Sequence, residues 1–155
     1  MGLFQDLVGR FTQNVTAYVG DRTLMEAAVS AAANVILADS EIDEEEVEAA
    51  LAGMRANPIL EKGYDTLKLE GELFEGLDRA RTRAGRAENL RHVAALRERD
   101  DGQRAAVFLI AADVADQAGI STVEHAALSE IAEALGVDKD RLLQGHAGAG
   151  RLHSE

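Results

Sequence analysis

The chain lacks cysteine and tryptophan, holds one proline among its 155 residues, and is only 4% aromatic. Without cysteine it forms no disulfides, no thiolate metal sites and no cysteine nucleophile, which fits a reducing cytoplasm. With Pro58 as the sole proline, long helices can run unbroken. Because 46% of the residues are hydrophobic, we expect a core of Ala, Leu, Val and Ile in a single domain.

Positive charge is also scarce, with 16 basic residues against 28 acidic ones and a net charge of −12. A nucleic-acid backbone is therefore not an expected partner, whereas a cation is. Eight arginines are concentrated between Arg79 and Arg104. This segment predicts either a solvated helix face or a docking surface for an acidic partner, including a sister subunit in a homo-oligomer.

Targeting signals are not evident in the sequence. The first residues lack the basic region and long apolar run of a signal peptide. The apolar stretch Ala105–Ala112 is too short to span a bilayer. These features predict a cytoplasmic location.

Apolar residues recur at helical spacing along the chain, and no segment has the alternation of a β-strand. The pattern predicts an all-α, compact bundle of about seven to eight helices. Its first helix spans residues 3–19, is amphipathic, and is expected to pack on the body, with a membrane surface as the alternative. The predicted domain covers residues 1–144, followed by a flexible tail over 145–155.

An internal repeat relates two halves of the chain, about 22–58 and 102–138, with an offset of 78 residues between Ala27 and Ala105. Each half has an Ala-rich helix, a polar turn with one isoleucine, and a capped helix. We therefore expect two pseudo-symmetric helix–turn–helix halves that face each other. Ile42 and Ile120 are predicted to anchor the turns in the core.

The first turn is crowded with negative charge, since seven of the ten residues 39–48 are carboxylates. Asp39, Glu41 and Asp43 alternate, so that in an extended loop their oxygens can converge on a cation such as calcium. The spacing is not that of an EF-hand. Helix capping is the alternative explanation, because Asp43-x-x-Glu46 is a capping-box pattern, but capping leaves Asp39 and Glu41 unexplained.

The second turn has the same capping pattern, Ser121-x-x-Glu124, but fewer carboxylates. Asp113 and Asp116 on the preceding helix are expected to complete the first site or to form a weaker second one. The predicted ligands of a divalent metal are Asp39, Glu41, Asp43, Glu46, Asp113, Asp116 and Glu124.

At these turns the sequence resembles the tellurite-resistance TerB family. The resemblance is carried by the opening Met1-Gly2-Leu3-Phe4, by the acidic turn from Ala38 to Glu46, and by the closing segment from Glu130 to Asp138. Asp39, Glu41, Asp43 and Glu46 match the family's first acidic turn. The second turn departs from the pattern at Gln117, Gly119 and Ser121.

The resemblance implies an all-helical fold of two similar halves with metal-coordinating acidic turns. It also implies a cytoplasmic role in resistance to tellurite and related stress. The implied partners are membrane-embedded TerC-type proteins and calcium-binding TerD-type proteins, the former placing the chain peripherally at the inner face of the membrane.

None of the familiar catalytic motifs is present: there is no His-Glu-x-x-His, no P-loop and no Gly-x-Ser-x-Gly. The four histidines are scattered along the chain. We therefore expect a non-enzymatic adaptor whose acidic turn binds a divalent metal, calcium above all. The rival hypothesis is a metal-independent protein–protein interaction module that uses the acidic turn as an electrostatic patch.

Overall fold

A computed structural model describes residues 20–145 of the chain, and all of its regular elements in that range are helical. The predicted all-α class is confirmed. The helices, numbered in chain order, are α1 (Arg22–Ile36), α2 (Glu44–Ala56), α3 (Pro58–Gly63), α4 (Thr66–Ala80), α5 (Arg83–Ala94), α6 (Asp101–Ala115) and α7 (Thr122–Leu135). Residues 139–145 are also helical.

Two sequence predictions fall on other parts of the chain. The amphipathic helix over residues 3–19 lies outside the described residues. The predicted flexible tail lies outside them as well, apart from Gly145, which is the last residue of the helical segment 139–145.

Helix α1 forms the centre of the bundle. Its N-terminus is capped by Asp21, whose side chain accepts a hydrogen bond from the backbone N–H of Leu24 at 3.1 Å. Twelve of its 15 residues are buried, and α4, α5 and α6 pack around it. Because many of the buried side chains are alanines, the neighbouring helices can approach α1 closely.

The repeat in the sequence reappears as a repeated order of elements. In the first half α1 is followed by a 3-10 turn (Leu37–Asp39) and α2, and in the second half α6 is followed by a 3-10 turn (Asp116–Ala118) and α7. The first turn packs against α7, the second turn packs against α2, and α2 also packs against α6. Each turn therefore contacts a helix of the other half.

The prediction that an isoleucine anchors each turn is wrong for Ile42, which is 41% exposed. Ile120 is partly buried against the core. The left-handed residue is Ser40 in the first turn, with φ +69°, and Gly119 in the second, with φ +80°. At the 78-residue offset Gly119 corresponds to Glu41 and not to Ser40, so the residue with positive φ lies one position later in the second turn. The two isoleucines therefore have different environments, although the repeat aligns them.

The repeat places the end of its first half at about Pro58, and the sequence pattern indicates no helix over the residues of α3. Pro58 instead occupies the first turn of a new helix, where its missing N–H costs nothing. Asn57 caps this helix by accepting hydrogen bonds from the backbone N–H groups of Ile59 at 3.0 Å and Leu60 at 3.3 Å.

A buried amide network joins α1, α4 and α5. Asn89 donates hydrogen bonds to the side chain of Asn34 at 2.9 Å and to the carbonyl of Gly76 at 3.1 Å. It also accepts a hydrogen bond from the Arg79 guanidinium at 2.7 Å. These bonds satisfy polar groups that would otherwise be costly to bury.

Gly85 makes the tight corner between α4 and α5 possible, which gives a test of the fold. A Cβ atom at this position would lie 1.7 Å from the carbonyl oxygen of Arg79, a backbone atom that cannot move aside cheaply. We expect Gly85→Ala to lower the free energy of unfolding by about 3 kcal/mol, as measured by urea denaturation.

The matched control is Gly102→Ala in the first turn of α6, where the nearest atom is 3.4 Å from the added Cβ. This change should leave stability unchanged or raise it by about 0.5 kcal/mol. Equal effects of the two substitutions would show that the α4–α5 corner is not as tight as described.

Candidate functional site

The exposed part of the acidic turn is organised by backbone hydrogen bonds. Asp39 accepts a hydrogen bond from the backbone N–H of Glu41 at 3.1 Å, and Asp43 accepts one from the N–H of Glu45 at 2.8 Å. Asp43 thereby caps α2 as predicted. Asp39, Glu41 and Asp43 are all exposed, so water solvates the charges that these bonds leave uncompensated.

Glu46 behaves differently from its neighbours, because it is only 6% exposed. The predicted capping box would have its side chain bonded to the backbone of Asp43. Instead, its Oε2 atom is buried and no hydrogen-bond donor of the described residues reaches it. A buried carboxyl oxygen without a donor is costly.

The capping box is formed in the second turn. The Ser121 side chain accepts a hydrogen bond from the backbone N–H of Glu124 at 3.2 Å, and the Glu124 carboxyl accepts one from the N–H of Ser121 at 3.0 Å. Glu124 is also only 6% exposed. Capping therefore explains the hydrogen bond of one Glu124 oxygen, but it does not explain the contact of this side chain with Glu46.

Glu46 and Glu124 meet across the two halves of the bundle. They are 78 residues apart and occupy the same position, the third residue, of α2 and α7. Burial above all, together with the hydrogen bond to Glu124 and the negative charge of that group, raises the pKa of the Glu46 carboxyl from its ordinary value of 4.5 to about 8. The charges of Asp39 and Asp43 act in the same direction. At neutral pH the pair therefore holds a shared proton.

Asp113 and Asp116 line a groove between α2 and α6, with a volume of about 840 Å³. Three glutamates of α2 line the same groove, together with small residues on one face of that helix: Glu44, Glu45, Glu48, Ala49, Ala52, Gly53 and Ala56. The acidic character of the groove is interrupted by Arg55. Gln117 donates a hydrogen bond to the backbone carbonyl of Asp113 at 2.9 Å.

The seven predicted metal ligands are thus divided among an exposed turn, a buried carboxyl pair and a groove. Across residues 20–145, no group of three or more His, Asp or Glu side chains is arranged to hold a metal ion. The part of the predicted set that the structure brings into contact is the pair Glu46 and Glu124.

Sequence reasoning missed this contact, although a signal for it was present. Both glutamates occupy the third position after a capping residue, and the repeat offset pairs them. The sequence pattern could not decide whether each glutamate side chain forms a capping hydrogen bond in its own turn or contacts the other half of the bundle. In Glu124 both occur, and in Glu46 only the contact is made.

A second missed arrangement joins Ser30, His92 and Glu26. The Ser30 hydroxyl lies 3.1 Å from Nδ1 of His92, and Nε2 of His92 lies 3.9 Å from the Glu26 carboxylate. The order of residues is that of a hydrolase triad, but Ser30 is fully buried and its hydroxyl cannot reach a substrate in this conformation. We therefore assign this chain of contacts to the packing of α5 on α1.

No protein-family model, curated protein or solved structure to which the chain was compared matches it. Within the described part of the chain, none of the helices has the length and hydrophobicity required to cross a bilayer.

The protonated pair predicts an unusual pH dependence of stability. Between pH 4.5 and about 8 the folded state holds a proton on Glu46 that the unfolded chain has lost. This contribution to stability is complete below pH 4.5 and is lost as the pH rises through about 8, with a slope of about 1.4 kcal/mol per pH unit. We expect Glu46→Gln to remove this slope, as measured by urea denaturation at a series of pH values.

The control for this experiment is Glu48→Gln, which makes the same chemical change at an exposed position on the same helix. It should keep the pH dependence of the unsubstituted protein. If Glu46→Gln and Glu48→Gln give parallel stability curves, Glu46 does not carry the extra proton.

Proposed function

We propose that this chain is a non-enzymatic, cation-responsive adaptor, similar in role to the tellurite-resistance TerB proteins that its acidic turn resembles. The observation that carries the proposal is the buried Oε2 atom of Glu46, to which no residue from 20 to 145 donates a hydrogen bond, in a side chain that interacts with the buried carboxyl group of Glu124. Such an oxygen needs either a proton or a cation as its counterpart.

The chemistry of the donors favours a hard divalent cation such as calcium, because all of the groups concerned are carboxylates. Glu46 and Glu124 would be the central ligands. Asp39 and Asp43 are the nearest further candidates, since their charges already raise the pKa of Glu46. A bound cation would supply the positive charge that the shared proton supplies otherwise. These aspartates or water molecules would provide the remaining ligands of the cation.

The position of the pair supports the proposed adaptor role. Each glutamate belongs to the first turn of a helix in a different half, so the charge on the pair affects how the two halves meet. The groove between α2 and α6 begins one residue from Glu46, at Glu45, and is the surface that a partner would contact. By resemblance, the proposed partners are TerC-type membrane proteins and TerD-type calcium-binding proteins, met in the cytoplasm or at the inner face of the membrane.

Calorimetric titration with calcium, magnesium and zinc chloride, each separately at pH 7 and constant ionic strength, tests the proposal. We expect binding of at least one of these ions with release of about one proton, detected as a heat that depends on the ionisation enthalpy of the buffer. The melting temperature should rise on the order of 5 °C at a large excess of the ion.

Glu46→Gln and Glu124→Gln should each abolish the binding heat and the rise in melting temperature, and Asp39→Ala with Glu41→Ala should reduce both. Glu48→Gln, which changes the groove but not the pair, should bind as the unsubstituted protein does. Absence of binding heat and an unchanged melting temperature with all three ions would refute the cation-responsive function.

The acidic groove supports a second candidate, a metal-independent interaction module. Five carboxylates and one arginine line this groove, so it is complementary to a basic segment of another protein. The two candidates differ in their response to salt. An electrostatic patch weakens with any added salt, whereas a cation site responds to a divalent ion at fixed ionic strength.

Fluorescence anisotropy with a labelled, lysine-rich helical peptide distinguishes these candidates. For the electrostatic module, the affinity should fall steadily from 50 to 500 mM NaCl, by about tenfold or more, and should not change with calcium at fixed ionic strength. Glu44→Lys with Glu48→Lys should abolish binding. Glu130→Lys with Glu133→Lys, the same change of charge on α7, should not; equal losses would mean that the peptide responds only to net charge.

A further inference from the structure

Two adjoining cavities lie beside the first 3-10 turn. The larger has a volume of about 260 Å³ and lies between this turn, α1, α5 and α7. The smaller has a volume of about 210 Å³ and extends to the end of α4. Leu37, Ser40 and Arg86 line both cavities, so Arg86 lies where the two adjoin. The predicted metal ligands line neither of them, and the proposed cation site therefore does not use this space.

The Arg86 side chain is held in place but keeps one edge of its guanidinium unused. Its backbone carbonyl accepts a hydrogen bond from the Asn34 side chain at 3.2 Å, and its Nη1 atom donates one to the carbonyl of Ala80 at 3.2 Å. The Nε and Nη2 atoms bond to no residue from 20 to 145. These two atoms form the edge whose parallel N–H groups match the two oxygens of a carboxylate.

Arg86 also has no acidic partner within the described residues, in a chain that holds 28 acidic residues. Arg83 and Arg91 on the same helix lack an ion pair there as well, but both are exposed to water. Arg86 is half-buried. Because burial withdraws part of its hydration, its guanidinium gains more from a bound carboxylate than an exposed arginine does.

The walls of the larger cavity are mainly apolar. Leu37, Leu90 and Val123 line it, together with three alanines. Val123 is 48% exposed, and an apolar molecule in the cavity would cover part of that surface. Such burial stabilises a complex by about 25 cal/mol per Å² of apolar area.

The polar groups and the volume restrict what the cavities can hold. Glu130 lines the larger cavity, and its negative charge opposes a second negative charge on a ligand. The volume of this cavity lies below the about 300–1,000 Å³ of sites for drug-sized ligands. The occupant is therefore a small molecule with a single negative charge.

We propose that these cavities bind a small monocarboxylate with an apolar body. The carboxylate would bind the Nε and Nη2 atoms of Arg86, and the apolar body would pack against Leu90 and Val123. Ser40 lines both cavities and offers its hydroxyl as a further donor. The bound molecule would contact both the first turn and α7, and so join the two halves of the bundle.

An NMR titration of the ¹⁵N-labelled full-length protein with sodium benzoate, at pH 7 and constant ionic strength, tests the proposal. The backbone amide signals of Ser40, Leu90 and Val123 should shift together with one dissociation constant. Acetate lacks the apolar body and benzyl alcohol lacks the charge. Each should therefore bind at least about tenfold more weakly than benzoate.

Substitutions of Arg86 and Glu130 test the charged groups. Arg86→Lys keeps the positive charge but not the paired donors, and should weaken benzoate binding by about tenfold or more. Arg83→Lys makes the same change at an exposed position of α5 and should leave the affinity unchanged. Glu130→Gln removes a like charge and should tighten binding by about threefold.

A change in the apolar wall provides a test that does not disturb Arg86. Val123→Asp should abolish benzoate binding, and it should leave the fold intact because an acidic residue in the first turn of a helix is favoured. Thr122→Asp places the same charge on the neighbouring residue, which lines neither cavity, and should retain binding.

Three results would overturn the proposal. The first is the absence of shifts at Ser40, Leu90 and Val123 up to ~20 mM benzoate, a concentration that detects even millimolar affinity. The second is equal affinity for benzoate, acetate and inorganic phosphate, which would show only a general attraction of anions to the arginine-rich segment. The third is equal binding by Arg86→Lys and Arg83→Lys.

Discussion

Two carboxyl groups that are buried in contact cannot both be ionised unless a cation lies between them. Without a cation, one of the two keeps a proton. Glu46 and Glu124 meet this constraint at the point where the two halves of the bundle join. Neither group can move independently of the fold, because each is attached to the first turn of a packed helix. The ionisation of the pair and the contact between the halves are therefore linked.

The surroundings of the pair reinforce this constraint. The charged groups that perturb Glu46 are all carboxylates, namely Glu124, Asp39 and Asp43. The arginines of the 79–104 segment stabilise other parts of the fold. Arg97 and Arg104 donate to carbonyl groups at the C-terminal end of α7, where a helix favours positive charge. Arg79 bonds with Asn89. A proton or an external cation is left as the counterpart of the pair.

Much of the fold was predictable because its signals are local. Asp43 and Ser121 cap the predicted helices, Gly136 ends α7 in a left-handed conformation, and the Ala-rich helices recur at the predicted offset. The errors arose from details of the backbone at a helix start and within a turn that the hydrophobic pattern did not specify. Pro58 begins a short helix where the first half of the repeat ends, and Ile42 is exposed because the residue with positive φ lies at different positions in the two turns.

The candidate site was predictable only in part, because it depends on contacts between segments that are distant in sequence. Counting carboxylates identified the acidic turn, but the sequence could not assign each one to water, to a helix cap or to the core. Asp39 and Asp43 bond to nearby backbone N–H groups, whereas Asp113 and Asp116 line the groove. The contact between Glu46 and Glu124 depends on the packing of two segments that are far apart in sequence, and the repeat offset alone indicated it.

The central claim is that these two glutamates share one proton in the folded protein, and ¹³C NMR of the glutamate side-chain carboxyl groups tests it most directly. The carboxyl resonances of the metal-free protein would be followed from pH 3 to pH 10, with Glu46→Gln and Glu124→Gln used for assignment. The account predicts one titration step near pH 8. This step should be absent in Glu46→Gln and should move to lower pH in Glu124→Gln, where the negative charge of Glu124 is removed but the burial of Glu46 remains. Titration of every glutamate in the range ordinary for exposed carboxyl groups would contradict it.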